Sequence, residues 1–526
     1  LFPYTTLFRS TTNYTYAGGS YYYNNPFDKK FAGFEKVTET KADGTSTITY
    51  YHQGNSSNSG NYEYSDNVGK IGYVYRTDVL DASNALVSRT TTKYDSANPV
   101  TGAYFVYPIQ TVNENSGVNT AKTYSYNTGA GTLSSAVDYG LVTVTDPLTF
   151  TDTGTDKKTT NYTYATNGSI YKVSNQTTLD QSSAKVNESN LYYDNQTLGT
   201  VIKGNNTKTD QWKVGTTYVN TQKSYSTYGN VLTSTDERGK VTNYAYDSYN
   251  LYPTTVTDPL TRTTQYTYDY NTGKPTQVTD QNGYVYQTTY DGFGRVLEQK
   301  IPDLTTPATL VTKTTYSYTN TPNNVSTYKT DYLDGSTTVD SYQYFDGLGR
   351  LIQDRSEAEA SGTFNVKDVT YNNVGLLQSE SIRYTGSGSA RTTPTTDTTL
   401  YNTYTYDPLN RVLSVVNALG TTSYVYTGFK TAITDANGKV KNYYNDAYGN
   451  LVKVEEINSG STYTTNYTWN LNNKLTNITD ALANVRAFTY DGLGRRLTAQ
   501  DLHASADATF GTWTYTYDDA GNLTQT

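Results

Sequence analysis

The 526-residue sequence contains no cysteine and no methionine, and only two histidines and three tryptophans. Without cysteine there can be no disulfide, no thiolate metal site and no cysteine nucleophile. Charged residues make up 17%, below the roughly 25% of ordinary soluble domains. Forty Lys and Arg against 48 Asp and Glu leave a formal charge of −8, which supplies no basic face for a nucleic-acid backbone. No run approaches the roughly 18 apolar residues of a membrane-spanning helix, and no signal peptide is visible, so no membrane insertion is expected. Leu1-Phe2-Pro3-Tyr4-Thr5-Thr6-Leu7-Phe8-Arg9-Ser10 reads as the translation of a sequencing adapter. Residues 1–10 are therefore set aside as an assembly artefact, and the natural polypeptide is expected to begin near Thr11.

What is abundant is tyrosine, 57 residues, in a background of Thr, Asn, Gly and Ser. Aliphatic residues are too sparse for a Leu/Ile/Val core, so any core must use tyrosine rings and threonine methyls. The tyrosines keep a period. Tyr246-Asp247, Tyr268-Asp269 and Tyr290-Asp291 recur at a step of 22 residues, and Asp236, Asp258 and Asp280 keep the same step. Such self-similarity is the signature of a repeat architecture, in which stacked units replace separate domains. Between the aspartates the pattern alternates: Tyr244/Tyr246, Tyr266/Tyr268, Tyr316/Tyr318, Tyr404/Tyr406 and Tyr515/Tyr517 stand at i and i+2, one face of a strand. The unit reads as two short strands joined by hairpin turns.

The turns have a mechanism. Asp291-Gly292-Phe293-Gly294-Arg295 recurs as Asp346-Gly347-Leu348-Gly349-Arg350 and as Asp491-Gly492-Leu493-Gly494-Arg495. Glycine supplies a positive φ, and the aspartate can accept hydrogen bonds from its own turn. Asn282-Gly283 and Asn437-Gly438 are two-residue hairpin signals. Residues 223–526 carry the clear repeats and stop as a new unit opens, which reads as truncation at the C-terminus. Residues 11–222 keep the paired tyrosines but lose the spacing, and read as degenerate repeats continuing one sheet. The stretch Tyr384–Thr399 reads as an exposed insertion loop.

Tyr290-Asp291-Gly292-Phe293-Gly294-Arg295-Val296 and Tyr490-Asp491-Gly492-Leu493-Gly494-Arg495-Arg496 resemble the YD-repeat, or Rhs-repeat, family. Tyr246-Asp247, Tyr268-Asp269, Tyr406-Asp407 and Tyr517-Asp518 are looser copies. The resemblance implies an all-β fold in which tandem hairpins form a long antiparallel sheet coiled into part of a hollow shell. In bacterial polymorphic toxins and insecticidal toxin complexes such shells enclose a C-terminal toxic segment; in wall-associated proteins and teneurins related repeats serve adhesion. Asp407-Pro408-Leu409-Asn410-Arg411 is superficially similar to the family's autoproteolytic Asp-Pro…Gly-Arg element, but it sits inside the array with Asn410 in place of glycine, and is read as one more turn.

No other constellation announces chemistry. No G-x-S-x-G, phosphate loop or H-E-x-x-H occurs. His52 and His503 stand in polar, loop-like contexts and read as lone surface histidines. Asp152-Thr153-Gly154-Thr155-Asp156 faintly resembles a calcium loop but lacks the closing glutamate. The recurring Asp236, Asp258, Asp280, Asp435 and Asp480 read as turn formers, because an active site is needed once and a turn in every repeat. Sequons such as Asn161 and Asn466 are expected by chance in this composition. Arg295, Arg350 and Arg495 are expected to pair with aspartates of neighbouring repeats. The chain is thus expected to be a scaffold and not an enzyme, with no catalytic, cofactor or metal residues, part of a secreted or surface-exposed bacterial protein whose partner is its own C-terminal effector. The alternative is a surface adhesin whose tyrosine faces bind glycans or cell-surface proteins.

Overall fold

The computed structural model describes residues 11–100, 103–321, 324–334 and 336–526; the adapter-like residues 1–10 lie outside this set. Forty strands hydrogen-bond into one sheet, and a last pair, Thr516–Tyr517 with Leu523–Gln525, stands apart. Among the described residues every strand pairing is antiparallel, the one parallel contact being an isolated Thr166–Thr200 bridge, and the helical segments are three short 3₁₀ turns. With few exceptions each strand pairs with the strands before and after it in sequence. The fold is the all-β, coiled antiparallel hairpin sheet expected of the repeat.

The repeat has a fixed internal economy. Strand Thr263–Asp269 pairs from Gln265 to Asp269 with Lys274–Thr279 through the Tyr-Asp turn. Across the other turn, Lys274–Thr279 meets Val285–Tyr290 over three pairs only, Gln277↔Gln287 to Thr279↔Val285. Beyond them the strands part, and the Tyr290 hydroxyl closes the gap by donating to the Pro275 carbonyl at 2.9 Å. The same bond recurs from Tyr268 to Pro253, 3.0 Å, Tyr318 to Val296, 2.8 Å, Tyr406 to Leu377, 2.8 Å, and Tyr490 to Leu475, 2.8 Å. Each accepting carbonyl lies opposite the aromatic residue that ends the preceding unit's strand, Trp469 for Leu475 and a tyrosine for the others, where a bulge interrupts the ladder and would otherwise leave backbone groups short of partners. The device also operates within 11–222: Tyr164 donates to Leu133 at 2.9 Å and Tyr193 to Val173 at 2.8 Å.

Because the sheet is a single layer, fully buried apolar side chains are few and gather in small clusters. Val112, Ala121 and Val142 form one, with Tyr139 and Phe150 against it. Ala165, Tyr193 and Val201 form another. Elsewhere the tyrosine face is half-buried by its own neighbours, as in the stacked pair Tyr328 and Tyr342, 4.6 Å between ring centroids.

The sheet also coils back on itself. Tyr448 donates to the Asp156 carbonyl at 2.6 Å, 292 positions earlier. Asn472 donates to the Val186 carbonyl at 2.9 Å, 286 positions earlier. The Gly492 N–H reaches the Lys213 carbonyl at 2.7 Å. Asp519 pairs with Lys213 at 3.1 Å, and Asp518 with Arg238 at 3.6 Å. In each case a turn on the Tyr-Asp side of the later coil seats on the opposite edge of the earlier one.

Tyr290→Phe keeps the ring and removes one donor, which is expected to cost about 1 kcal/mol. The loss should appear as faster amide exchange in Lys274–Thr279 and Val285–Tyr290, with distant strands unchanged. Unaltered protection there would show that the hydroxyl bond does not hold the strands together.

Candidate functional site

The recurring Tyr-Asp turn is built from side chains that the sequence singled out. In Asp291–Arg295 the carboxylate Oδ1 accepts the Phe293 and Arg295 N–H groups, both at 2.9 Å, and Oδ2 accepts Arg295 Nε at 2.7 Å. Gly294 takes φ +73°, the left-handed position the turn requires. Asp346–Arg350, Asp407–Arg411 and Asp491–Arg495 repeat the arrangement, with Asn410 at φ +63° in the glycine's place. Gly349 and Gly494 occupy the same positive-φ position in their turns. Asp407 is thus a turn former like the others, its carboxylate accepting from Leu409 and Arg411. The turns at Asp247, Asp269 and Asp518 use the same carboxylate-to-backbone capping.

One expectation needs correction. The arginines bind the aspartate of their own turn, four residues back, and not that of a neighbour. What they give the next repeat is a flat cation over a tyrosine ring. Arg295 lies 4.2 Å from the Tyr318 centroid, Arg350 4.2 Å from Tyr371 and Arg411 4.2 Å from Tyr426. The tyrosine whose hydroxyl holds one strand therefore receives on its face the arginine of the turn before it, a cation–π contact between units. Arg495 follows the pattern, 5.1 Å from Tyr517, and donates to the Asp518 carbonyl at 2.7 Å.

The second correction concerns His52. It is fully buried, at the base of the loop between paired strands Ser46–Tyr51 and Val74–Leu80. Its Nδ1 stands 2.7 Å from Glu63 Oε1 and 3.3 Å from Asp66 Oδ1. The carboxylates are themselves held by backbone: Asp66 Oδ2 accepts the Gln53 and Asn55 N–H groups at 3.0 and 3.1 Å, and Glu63 Oε2 accepts that of Asn58 at 2.6 Å. Lys70, also fully buried, spends its ammonium on the Ser65 and Tyr94 carbonyls and the Ser65 hydroxyl. Beside this knot Asp78 receives both Arg76 and Arg89, and the Arg76 guanidinium lies 4.5 Å from the Tyr50 ring centroid. A polar bowl of about 320 Å³, lined by Glu35, Gln53, Asn58 and Glu63 among others, opens alongside.

His52, Glu63 and Asp66 are the one group of potential metal ligands among the described residues. Their spacing fits a proton better than an ion. Two ligands of a tetrahedral zinc at about 2.1 Å stand roughly 3.4 Å apart, whereas Nδ1 and Oε1 are at hydrogen-bond distance. The trio is a charged clasp on the loop. Burial by itself would lower the imidazole pKa, but the hydrogen bonds and charges of Asp66 and Glu63 outweigh it and raise it above its usual value. Burial would raise that of Asp66, but His52 and the backbone N–H groups hold it below the usual carboxylate range. Sequence reading missed this site because its three members are separated by Ser/Asn-rich loop and no spacing motif joins them.

One other expectation changes with the geometry. The stretch at Tyr384–Thr399 does not simply protrude: Tyr384–Ser387 pairs with Thr363–Tyr371, and the segment caps a fully buried Arg355, which donates to the Ser387 and Gly388 carbonyls. Its other anchor is the buried Asp368, reached by Tyr384, Tyr401 and the Thr395 N–H. The Asp152–Asp156 segment lies at the seam, its Asp156 carbonyl accepting from Tyr448. His503 stacks on Phe510 at 3.7 Å and is not part of any clasp.

A folded-state pKa raised for His52 means that its contribution is fully present below the usual value of about 6.5 and is lost as pH climbs through the raised one; the depressed Asp66 contributes above about 3.9 and its share is lost as pH falls through the lowered one. Amide protection across residues 58–73 should therefore peak in mildly acidic solution and decline on both sides. The His52 ring should titrate by NMR with a midpoint above about 6.5, and a midpoint at or below that value would dismiss the clasp. His52→Ala, which strands two buried carboxylates, should cost about 3 kcal/mol or more.

With the geometry in view, comparisons with known proteins can be placed. Residues 469–506 match the family model of the RHS repeat. A comparison with curated proteins finds no match. Solved structures of TcdB2-TccC3 align over 97% of this chain at a TM-score of 0.76 and 13% identity, covering 36% of their own chain. A structure of TcdB2-TccC3-Cdc42 aligns with a TM-score of 0.76 at 12% identity, covering 97% of this chain and 38% of its own. The Photorhabdus luminescens Tc holotoxin pore carrying the TccC3-D651A mutation aligns with a TM-score of 0.73 at 12% identity, again over 97% of this chain and 38% of that one. The chain spans little more than a third of the length of these relatives, and at such identities the likeness is one of fold. Residues 469–506 are thus similar to an RHS repeat, and the chain as a whole has the coiled β-sheet fold of the TcdB2-TccC3 structures.

Proposed function

We propose that this chain is a wall segment of a hollow β-shell in an exported bacterial protein, a wall that encloses or presents an effector carried C-terminal to it. The observation that carries the reading is the seam: a one-layer sheet returns to itself after 279 to 310 positions, the course expected of a wall wound around a space. Its side chains are committed to structure. In the regular units the tyrosine hydroxyl goes to a carbonyl, the aspartate to its turn and the arginine to a ring, as at Tyr290, Asp291 and Arg295. Export draws support from the Tc holotoxin likeness, and among the described residues no helix is long and apolar enough to cross a membrane. The glycan-binding alternative gains less, because many repeat tyrosines are half-buried and several already carry an arginine on one face.

Enclosure can be tested directly. An unstructured reporter fused after Thr526 should resist protease in the fusion and be digested when free. Tyr448→Ala, which opens the seam, should restore digestion. Digestion of the fused reporter at the free rate would remove enclosure from the reading while leaving the repeat scaffold in place.

A further inference from the structure

Where the two coils meet at Tyr448, the joint holds several carboxylates, and their partners differ. Asp446, in the turn of the later coil, accepts the Tyr448 and Asn450 N–H groups at 2.9 and 2.8 Å and Asn450 Nδ2 at 2.9 Å. In the earlier coil Asp138 takes the Lys122 ammonium at 2.8 Å and the Gly140 N–H at 3.2 Å, and Asp152 takes the Gly154 N–H at 3.1 Å. Asp156 differs from these three. Its Oδ1 is shielded from solvent and has no hydrogen-bond partner among the described residues. Two glycines make room for the carboxylate: a Cβ at Gly140 would lie 2.1 Å from Oδ2, and one at Gly154 would lie 2.1 Å from Oδ1. The chain's own atoms close off Oδ1, so no further partner can reach it.

An ionised carboxylate in such a place costs free energy unless an opposite charge matches it. The ammonium groups of the joint are committed elsewhere. Lys158 holds its own 3.7 Å from the Tyr448 ring centroid, and Lys122 is paired with Asp138. Burial is the largest influence on Asp156 and raises its pKa; its own N–H and that of Leu141 oppose the rise, Asp152 and Asp446 add to it, and the net shift is upward. The Tyr448 phenol is pushed up by burial and by Asp138, Asp156, Asp446 and Asp152. It therefore keeps the proton it donates to the Asp156 carbonyl in acid and neutral solution alike, and the carboxylate is the group that changes.

We propose that the joint at Tyr448 is an acid-tightened latch, closing more firmly when Asp156 carries a proton and easing when it is ionised. Once the joint opens, water reaches Asp156 and its carboxyl returns to the ordinary range. The penalty on the closed joint is therefore absent below about 3.9, grows as pH rises through the raised value and is full above it. The wall holds together most firmly in acid and eases toward neutral pH. The inference rests on the seam geometry and is independent of whether the wall encloses an effector.

Amide exchange of the full chain tests it. After correction for intrinsic exchange rates, the opening constants across residues 138–142, 154–158 and 446–450 should rise about threefold or more between about pH 4 and about pH 7.5. Asp156→Asn keeps the shape and cannot ionise, so its opening constants should stay at the wild-type acid level throughout. The variant leaves Asp138, Asp152 and Asp446 in place, which separates the effect of Asp156 from theirs. Wild-type opening that is flat over this range, or that falls as pH rises, overturns the proposal. So does an Asp156→Asn protein that keeps the wild-type pH response, or one whose joint opens more readily than wild type at neutral pH.

Discussion

A tyrosine hydroxyl donating to a carbonyl of the adjacent strand is the bond on which the rest of this architecture depends. A one-layer sheet has no second layer to press against, so its strands must be held by what lies within the layer. Backbone ladders do this along the Tyr-Asp hairpins but shrink across several of the alternate turns to three residue pairs. The bulge that follows lets the hairpin bend, and it also interrupts the ladder. The hydroxyl supplies a donor at that gap. Phenylalanine would give the same ring without the bond, so these positions require tyrosine.

The aspartate and arginine complete the unit. The aspartate fixes its turn by taking two backbone N–H groups and the arginine Nε; the arginine, so held, lies over the next unit's tyrosine. Each side chain thus makes one bond inside its repeat and leaves one surface for the next. Individually such contacts contribute little. Repeated at fixed spacing they define how one hairpin follows another, and so the direction in which the sheet coils. Trp469 illustrates the tolerance of the scheme: its indole N–H reaches the Leu451 carbonyl at 2.7 Å, in the place of a tyrosine hydroxyl.

The irregular N-terminal region meets the same physical demand by different means. Its longer loops cannot rely on the compact Asp-x-x-Gly turn, and two of them are anchored by inward-turned carboxylates instead. Asp194 gathers the N–H groups of Ile202, Lys203, Gly204 and Asn205 on one carboxylate. The loop after His52 is closed by the imidazole, Glu63 and Asp66. In the later part, Arg355 and Asp368 do similar work beneath the Tyr384 segment. Burying such charges is tolerable because nearly every one is matched by carbonyls, backbone N–H groups or an opposite charge.

The sequence by itself determined whatever is local and periodic. Alternating tyrosines fixed which residues share a face, Asp-Gly spacing fixed the turns, and the 22-residue step fixed the hairpin order, because strand and turn propensities act over a few residues and repeat with the motif. Even there the partner of Arg295 was not readable, since Asp291 and an aspartate one repeat away are equally plausible along a line of text. Only the tertiary structure decided the contacts with no period: the burial of His52 between Glu63 and Asp66, the folding of Tyr384–Ser387 over Arg355, and the seating of Tyr448 on a carbonyl 292 positions earlier. These depend on the accumulated bend of many hairpins, to which each repeat adds a small amount, and no single stretch of sequence contains that sum.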